Sequence, residues 1–258
     1  MKIDVVGCGS AYSTEHNNSS IRVMDSTGFQ WLIDCGATVP RALWQRDLGI
    51  DEIDAIYFTH IHPDHCLGLT TLLNRWHSRG RQKPLEIWCQ GEHKPWLETL
   101  AQLAYWPEQQ LNFQLSWHEA EPEFSWRDWQ IKTAFSQHEI SNRSIRIEIE
   151  GHSMFFSGDG RPTPGNIELM ENADIVFQEC GSLKALPNTS SHGDLPDCLS
   201  LRDKVSFGQL CLYHCADHER AEIEQEIASI PYIMLVEEHF LLDIEQIRQD
   251  TDQAESII

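Results

Sequence analysis

His60-Ile61-His62-Pro63-Asp64-His65 places three imidazoles and one carboxylate within six residues. The stretch follows Asp54-Ala55-Ile56-Tyr57-Phe58-Thr59, whose β-branched and aromatic run predicts a buried strand. Four such groups at a strand end cannot all pack as core, because buried polar side chains need partners. Imidazole and carboxylate are donor types for a divalent ion, so the turn reads as a metal nest. Pro63 restricts the backbone there and lets alternate side chains face two adjacent ions.

Upstream, Ile3–Val6, Ser20–Met24 and Phe29–Ile33 predict a β-meander, and Val39–Leu48 a helix closed by Gly49. Downstream, Leu67–Trp76 predicts a helix, Leu85–Cys89 a strand, and Pro95–Trp106 a helix stopped by Pro107. From Leu111 to Glu150 the pattern is β, clearest in the alternation from Ser144 to Glu150, and Met154–Phe156 follows a Gly151-His152 turn. The last third alternates helices near Asn166–Asn172, Pro196–Ser206 and Glu219–Ile230 with strands Asp174–Phe177, Gln209–Tyr213 and Tyr232–Val236. Residues 247–258 predict a short helix or a frayed end. Without a repeat or a linker, the chain reads as one α/β domain over residues 1–258, with mixed sheets and outer helices.

Composition limits the partners. In 258 residues, 19 Lys+Arg stand against 40 Asp+Glu, a net charge of −21, so an extended electrostatic grip on nucleic acid or anionic lipid is not expected. Met1-Lys2-Ile3-Asp4 lacks the apolar run of a secretory signal, and no stretch approaches the roughly 18 apolar residues of a span. A soluble, cytoplasmic protein with no membrane partner is the expectation. The eight cysteines form no Cys-x-x-Cys pair and read as reduced, buried thiols, with Cys211 and Cys215 beside His214 the pair to watch.

The His60–His65 motif resembles the defining motif of the metallo-β-lactamase superfamily of metal-dependent hydrolases. Gly7-Cys8-Gly9-Ser10-Ala11, Asn17-Asn18-Ser19-Ser20 and Leu32-Ile33-Asp34-Cys35-Gly36 are similar to the N-terminal pattern of its ribonuclease Z and small-phosphodiesterase branch. The resemblance implies a four-layer αββα sandwich and a two-metal site. His138 in Phe135-Ser136-Gln137-His138, Asp159 in Ser157-Gly158-Asp159 and His214 after Leu210–Tyr213 match the positions that complete that site. Carried over, one ion takes His60, His62 and His138, the other takes Asp64, His65 and His214, and Asp159 bridges them. His16, His77, His93, His118, His152, His218 and His239 have no such positional argument, and His218 is the competitor of His214.

His62 stands where redox di-iron members of the superfamily carry Glu, and nitrogen-rich coordination suits Zn²⁺, or Mn²⁺, in Lewis-acid hydrolysis. The resemblance further implies that Glu179 orients His192, a non-ligand imidazole acting at the phosphoryl group or leaving oxygen, and that Asp34 braces the metal turn. Asp64, Glu179 and His192 are therefore the expected catalytic set. Arg161 is read as meeting a substrate anion or as solvated, and Trp106, Trp117, Trp126 and Trp129 as core, with substrate stacking the lesser alternative.

True ribonuclease Z inserts a tRNA-gripping arm between its lone metal His and its Gly-Asp. Here 21 positions separate His138 from Asp159, leaving no room for it. The expected activity is hydrolysis of a small phosphodiester, such as a cyclic nucleotide or a sugar cyclic phosphate, by a hydroxide shared between two divalent ions. The alternatives are tRNA 3′-end processing, thioester or lactone hydrolysis, and a noncatalytic metal-binding role. The resemblance also admits a homodimer.

Overall fold

Alternation along the strands sets the architecture. In the computed structural model, which describes residues 1–246, the strands form two seven-stranded sheets. In the first, β1 (Lys2–Gly7), β2 (Ser20–Met24) and β3 (Gln30–Ile33) are antiparallel, and β4 (Ala55–Tyr57), β5 (Leu85–Cys89) and β6 (Leu115–Glu119) continue parallel to β3. The second repeats this plan. There β7 (Glu123–Trp126), β8 (Trp129–Phe135), β9 (Arg143–Ile149) and β10 (His152–Phe156) are antiparallel, and β11 (Ala173–Glu179), β12 (Phe207–Tyr213) and β13 (Ile233–Leu235) are parallel to β10. A last strand, β14 (Leu241–Asp243), pairs with the edge of β1.

Successive side chains leave opposite faces of a strand. On β4, Ala55 and Tyr57 enter the core between the sheets while Ile56 enters the helix-side core; on β12, Cys211 and Tyr213 face inward while Leu210 and Leu212 face helices. Strands buried on both faces read as the continuous apolar runs seen in the sequence. The first sheet is covered by α1 (Val39–Gln45), α2 (Pro63–Cys66), α3 (Gly68–Ser78) and α4 (Lys94–Leu103). The second is covered by α5 (Pro164–Met170), α6 (Leu195–Leu199), a 3₁₀ turn (Ser200–Asp203) and α7 (Arg220–Ile227). The result is the four-layer α/β arrangement. No helix among the described residues is long and apolar enough to cross a membrane.

Several boundaries differ from the sequence reading, each for a local reason. α1 stops at Gln45 because Asp47 turns left-handed (φ 53°). α4 stops at Leu103, four residues before Pro107, whose ring would clash with that carbonyl in a continued helix. The expected helix 196–206 divides into α6 and the 3₁₀ turn. The 60–65 turn itself contains a short helix, α2, with Pro63 in its first turn. Trp129 is core, but Trp106 is 79% exposed, contrary to expectation. All eight thiols are buried and form no disulfide. The terminal segment 247–258 lies outside the described residues.

The parallel strands and β8 end at the same edge, where the loops after β3, β4, β8, β10, β11 and β12 converge. There the Cys35 N–H donates to the His65 carbonyl (2.7 Å) and the Gly68 N–H to the Cys35 carbonyl (2.8 Å), clamping α2 to the end of β3. The clamp requires glycine: a Cβ on Gly36 would overlap the Asp64 carbonyl, and one on Gly68 the Gly36 carbonyl. Gly36→Ala should therefore lower the thermal midpoint, read by circular dichroism, by about 4–8 °C, from an overpacking cost of about 2 kcal/mol. A midpoint equal to that of the parent would refute the clamp.

Candidate metal centre

Each strand end delivers one part of the site. β4 leads into His60, His62, Asp64 and His65, β8 into His138, β10 into Asp159, and β12 into His214. His62 Nδ1 lies 3.1 Å from His60 Nε2 and 3.0 Å from His138 Nε2. These three residues and Asp159 form one group whose ligand atoms fall within 4.8 Å of one another, and Asp64, His65, Asp159 and His214 form a second. Asp159 belongs to both groups. All seven residues singled out in the sequence thus share one edge of the fold, whereas His218 is exposed and outside both groups.

Two observations favour cations at these groups. His65 Nε2 and Asp159 Oδ1 are buried 3.2 Å apart, yet neither has a hydrogen-bond partner, the arrangement of two ligands aimed at a common point. The outer nitrogens of the first group are also held: His60 Nδ1 by the Thr59 hydroxyl (3.0 Å), His138 Nδ1 by the Ser191 carbonyl (2.8 Å), and His62 Nε2 beside Glu139 (3.3 Å). Metal-ligating imidazoles are oriented in this way.

Asp34 extends the same logic to both groups. It is fully buried, in a left-handed conformation (φ 61°), and accepts from His65 Nδ1, the Thr59 N–H and the Thr59 hydroxyl, each at 2.8 Å. One carboxylate thereby orients His65 directly and His60 through Thr59. His214 is also left-handed (φ 59°), held where its N–H donates to the Cys8 carbonyl (2.9 Å). Non-glycine residues in this region concentrate at functional sites.

Protonation follows from burial and proximity. Burial, helped by the charge of His65, holds His60 well below its ordinary range, and burial holds His62 below its own. Burial alone would raise Asp159, but His214 and His65 together hold its carboxyl well below the usual range. Burial opposes charge on His65 as well, yet Asp159 and Asp34 raise it well above its ordinary value. The Asp159 carboxylate is thus ionised, and a cation would displace a proton from the His65 side.

Beside this nest, Glu179 at the end of β11 is fully buried and accepts from His192 Nδ1 (3.2 Å), the Gly160 N–H (2.6 Å) and the Gly193 N–H (3.1 Å). The hydrogen bond to Glu179 pushes His192 up to about 9, against the effect of its burial. His192 Nδ1 lies 4.0 Å from Asp159. Arg161 is neither solvated nor free for a substrate: it is buried, pairs with Asp194 (3.2 Å) and Asp197, and donates to the His192 carbonyl (3.3 Å). It fixes the loop that carries His192. Thr59 and Glu139 are the supporting residues that sequence reasoning missed. Each adjoins a candidate ligand, but neither spacing nor residue type marks it.

Fold and site define a metallo-β-lactamase-fold protein with a candidate metal centre. The fold matches the metallo-β-lactamase fold protein YhfI from Bacillus subtilis (TM-score 0.78, 18% identity, 93% of this chain and 98% of that one). It also matches the short form of human tRNase Z (TM-score 0.77, 20% identity, 95% and 99%) and a diphosphatase of the PhnP family (TM-score 0.74, 18% identity, 94% and 97%). Residues 1–237 match the family described as anti-Pycsar protein Apyc1, and the chain belongs to that family. Among curated relatives, ribonuclease Z of Methanococcus aeolicus is 34% identical over 119 residues, 46% of this chain and 36% of that one. Anti-Pycsar protein Apyc1 of Bacillus phage BSP38 is 41% identical over 88 residues, 33% and 34%. These matches span about a third of each relative's own length.

Removing the shared brace tests the arrangement. Asp34→Ala should weaken divalent-metal affinity about 10–100-fold, measured by competition with a chromophoric chelator. Unchanged affinity in the folded variant would show that Asp34 does not orient the site.

Proposed function

We propose that the chain is a phosphodiesterase that hydrolyses a small phosphodiester, a cyclic nucleotide or a sugar cyclic phosphate, with two divalent ions, Zn²⁺ or Mn²⁺. His60, His62 and His138 would hold one ion, Asp64, His65 and His214 the other, and Asp159 would bridge them. The described sheets would act as one catalytic domain, since both contribute to this set. The observation that carries the reading is the Glu179–His192 pair beside Asp159: a protonated imidazole next to the nest can hand a proton to a departing alkoxide. A thioester or lactone hydrolysis gives that pair less to do.

Bound ions would supply Lewis acidity, neutralising charge on phosphoryl oxygens and acidifying a water. The protein does the rest. Glu179 holds His192 through Nδ1 and leaves Nε2 as the donor, Arg161 and Asp194 keep the loop in place, and Asp34 keeps the His65 and His60 rings aligned. Substrate size is supported by two observations. The interval between His138 and Asp159 is occupied by β9, β10 and short turns, and the net charge is −21, unfavourable for a long polyanion.

Zinc- or manganese-loaded protein should turn over bis(p-nitrophenyl) phosphate and cyclic mononucleotides, and Asp64→Ala should not. Precursor tRNA should not be cut at physiological salt. His192→Ala should lower kcat about 10²–10⁴-fold with KM little changed. Glu179→Gln should lower kcat and move its alkaline limb to lower pH, because loss of the carboxylate lets the raised His192 pKa fall and the proton leave earlier. If the loaded protein hydrolyses no phosphodiester, the reading is wrong.

A further inference from the structure

The cleft over the metal nest, about 480 Å³, has a second wall that the chemistry above leaves unused. Asp64, Asp159 and His192 line its floor, and Tyr12 and Pro63 line its rim. Tyr12 is 94% exposed, the most exposed large apolar side chain of the described residues. A ring that size left in water forgoes the stabilisation of burial, so no packing reason keeps it there.

Its loop is nevertheless fixed. The Gly9 N–H donates to the Asn17 carbonyl (2.8 Å) and closes the neck. Asp217 accepts from the Ser13 hydroxyl (2.5 Å) and the Thr14 N–H (2.8 Å), and Glu238 accepts from the Asn17 amide group (2.6 Å). The neck is also registered on the metal edge, because Gly9 bridges Cys215 and the Cys8 carbonyl accepts the His214 N–H. The fold therefore sets where the backbone at Tyr12 stands relative to the nest, within reach of the ring. Ala11, Pro63, Gly181 and Ala216 make much of the lining small and neutral, with Glu139 the charged side chain outside the nest, so the tyrosine ring offers the cleft a flat apolar surface.

Building on the phosphodiesterase reading, we propose that Tyr12 is a stacking platform for the base of a nucleoside phosphodiester whose phosphate lies at the metal nest. Stacking on an aromatic ring tolerates any base, so purines should be preferred to pyrimidines only by their larger stacking surface. Tyr12 is then a specificity residue that separates nucleotides from base-free phosphodiesters.

The test compares a cyclic mononucleotide with the corresponding ribose cyclic phosphate lacking the base, on metal-loaded parent, Tyr12→Ala and Tyr12→Phe. Tyr12→Ala should raise KM for the nucleotide about tenfold more than for the base-free sugar phosphate, with kcat little changed, and Tyr12→Phe should restore the parent value. Calorimetric binding of the nucleotide to Asp64→Ala protein should weaken by a similar factor when Tyr12→Ala is added. The proposal is overturned if Tyr12→Ala leaves the nucleotide KM at the parent value, if it shifts both substrates equally, or if Tyr12→Phe fails to restore it. Turnover of bis(p-nitrophenyl) phosphate or the base-free sugar phosphate without any nucleotide would overturn stacking alone. Absence of all phosphodiester turnover would instead remove the reading on which it rests.

Discussion

The buried carboxylate of Asp34 is the constraint on which the rest of the site depends. A carboxylate taken wholly out of water costs several kcal/mol unless its oxygens are satisfied, and here three donors converge on it. Burial pushes its carboxyl up, and the His65 imidazole is the foremost of the groups that pull it back. Because Thr59 carries the bond onward to His60, this one group fixes a ring in each of the two candidate metal groups. The geometry of the 60–65 turn is thus dictated from the end of β3, and the clamp of Cys35 on the His65 carbonyl makes the same connection through the backbone.

The second sheet repeats this strategy with different residues. Glu179 plays toward His192 the part that Asp34 plays toward His65, again fully buried, again accepting backbone N–H groups as well as a ring nitrogen. The bonds of Arg161 to Asp194 and Asp197 hold the loop from behind. His65 and His192 are thereby each backed by a buried carboxylate with little freedom of its own, the condition for holding cations and substrate in one geometry without reorganisation.

What the sequence disclosed follows from what is local. β4, β10, β11 and β12 were legible because strands buried on both faces are apolar throughout, and the 60–65 motif because its donors are adjacent in sequence. His138, Asp159 and His214 were legible only through resemblance, since one histidine or aspartate after a strand carries no signal alone. The roles of Thr59 and Glu139 were hidden because each is an ordinary residue whose meaning comes from the fold, which brings Asp34 to the Thr59 hydroxyl and His62 to Glu139. Arg161 was misread for the opposite reason: an arginine after Gly160 resembles an anion binder, and only the folded chain brings Asp194 and Asp197 to it. The split of α6 and the early end of α4 reflect competition between helix propensity and local backbone geometry, which periodicity does not register.

The mirrored plan of the two sheets has a consequence for assembly. His60 and His214 are 154 positions apart, and β4 and β12 lie in different sheets, so no local segment can bring the two candidate groups together. Apart, the first sheet offers a cation only the 60–65 turn and the second only His138, Asp159 and His214, and the two sets meet when the sheets dock across the core of Trp31, Tyr57, Phe177 and Tyr213. Occupancy of the nest is therefore linked to closure of that core. A bound cation would act as a latch between the two halves, favouring the docked state over any in which they part.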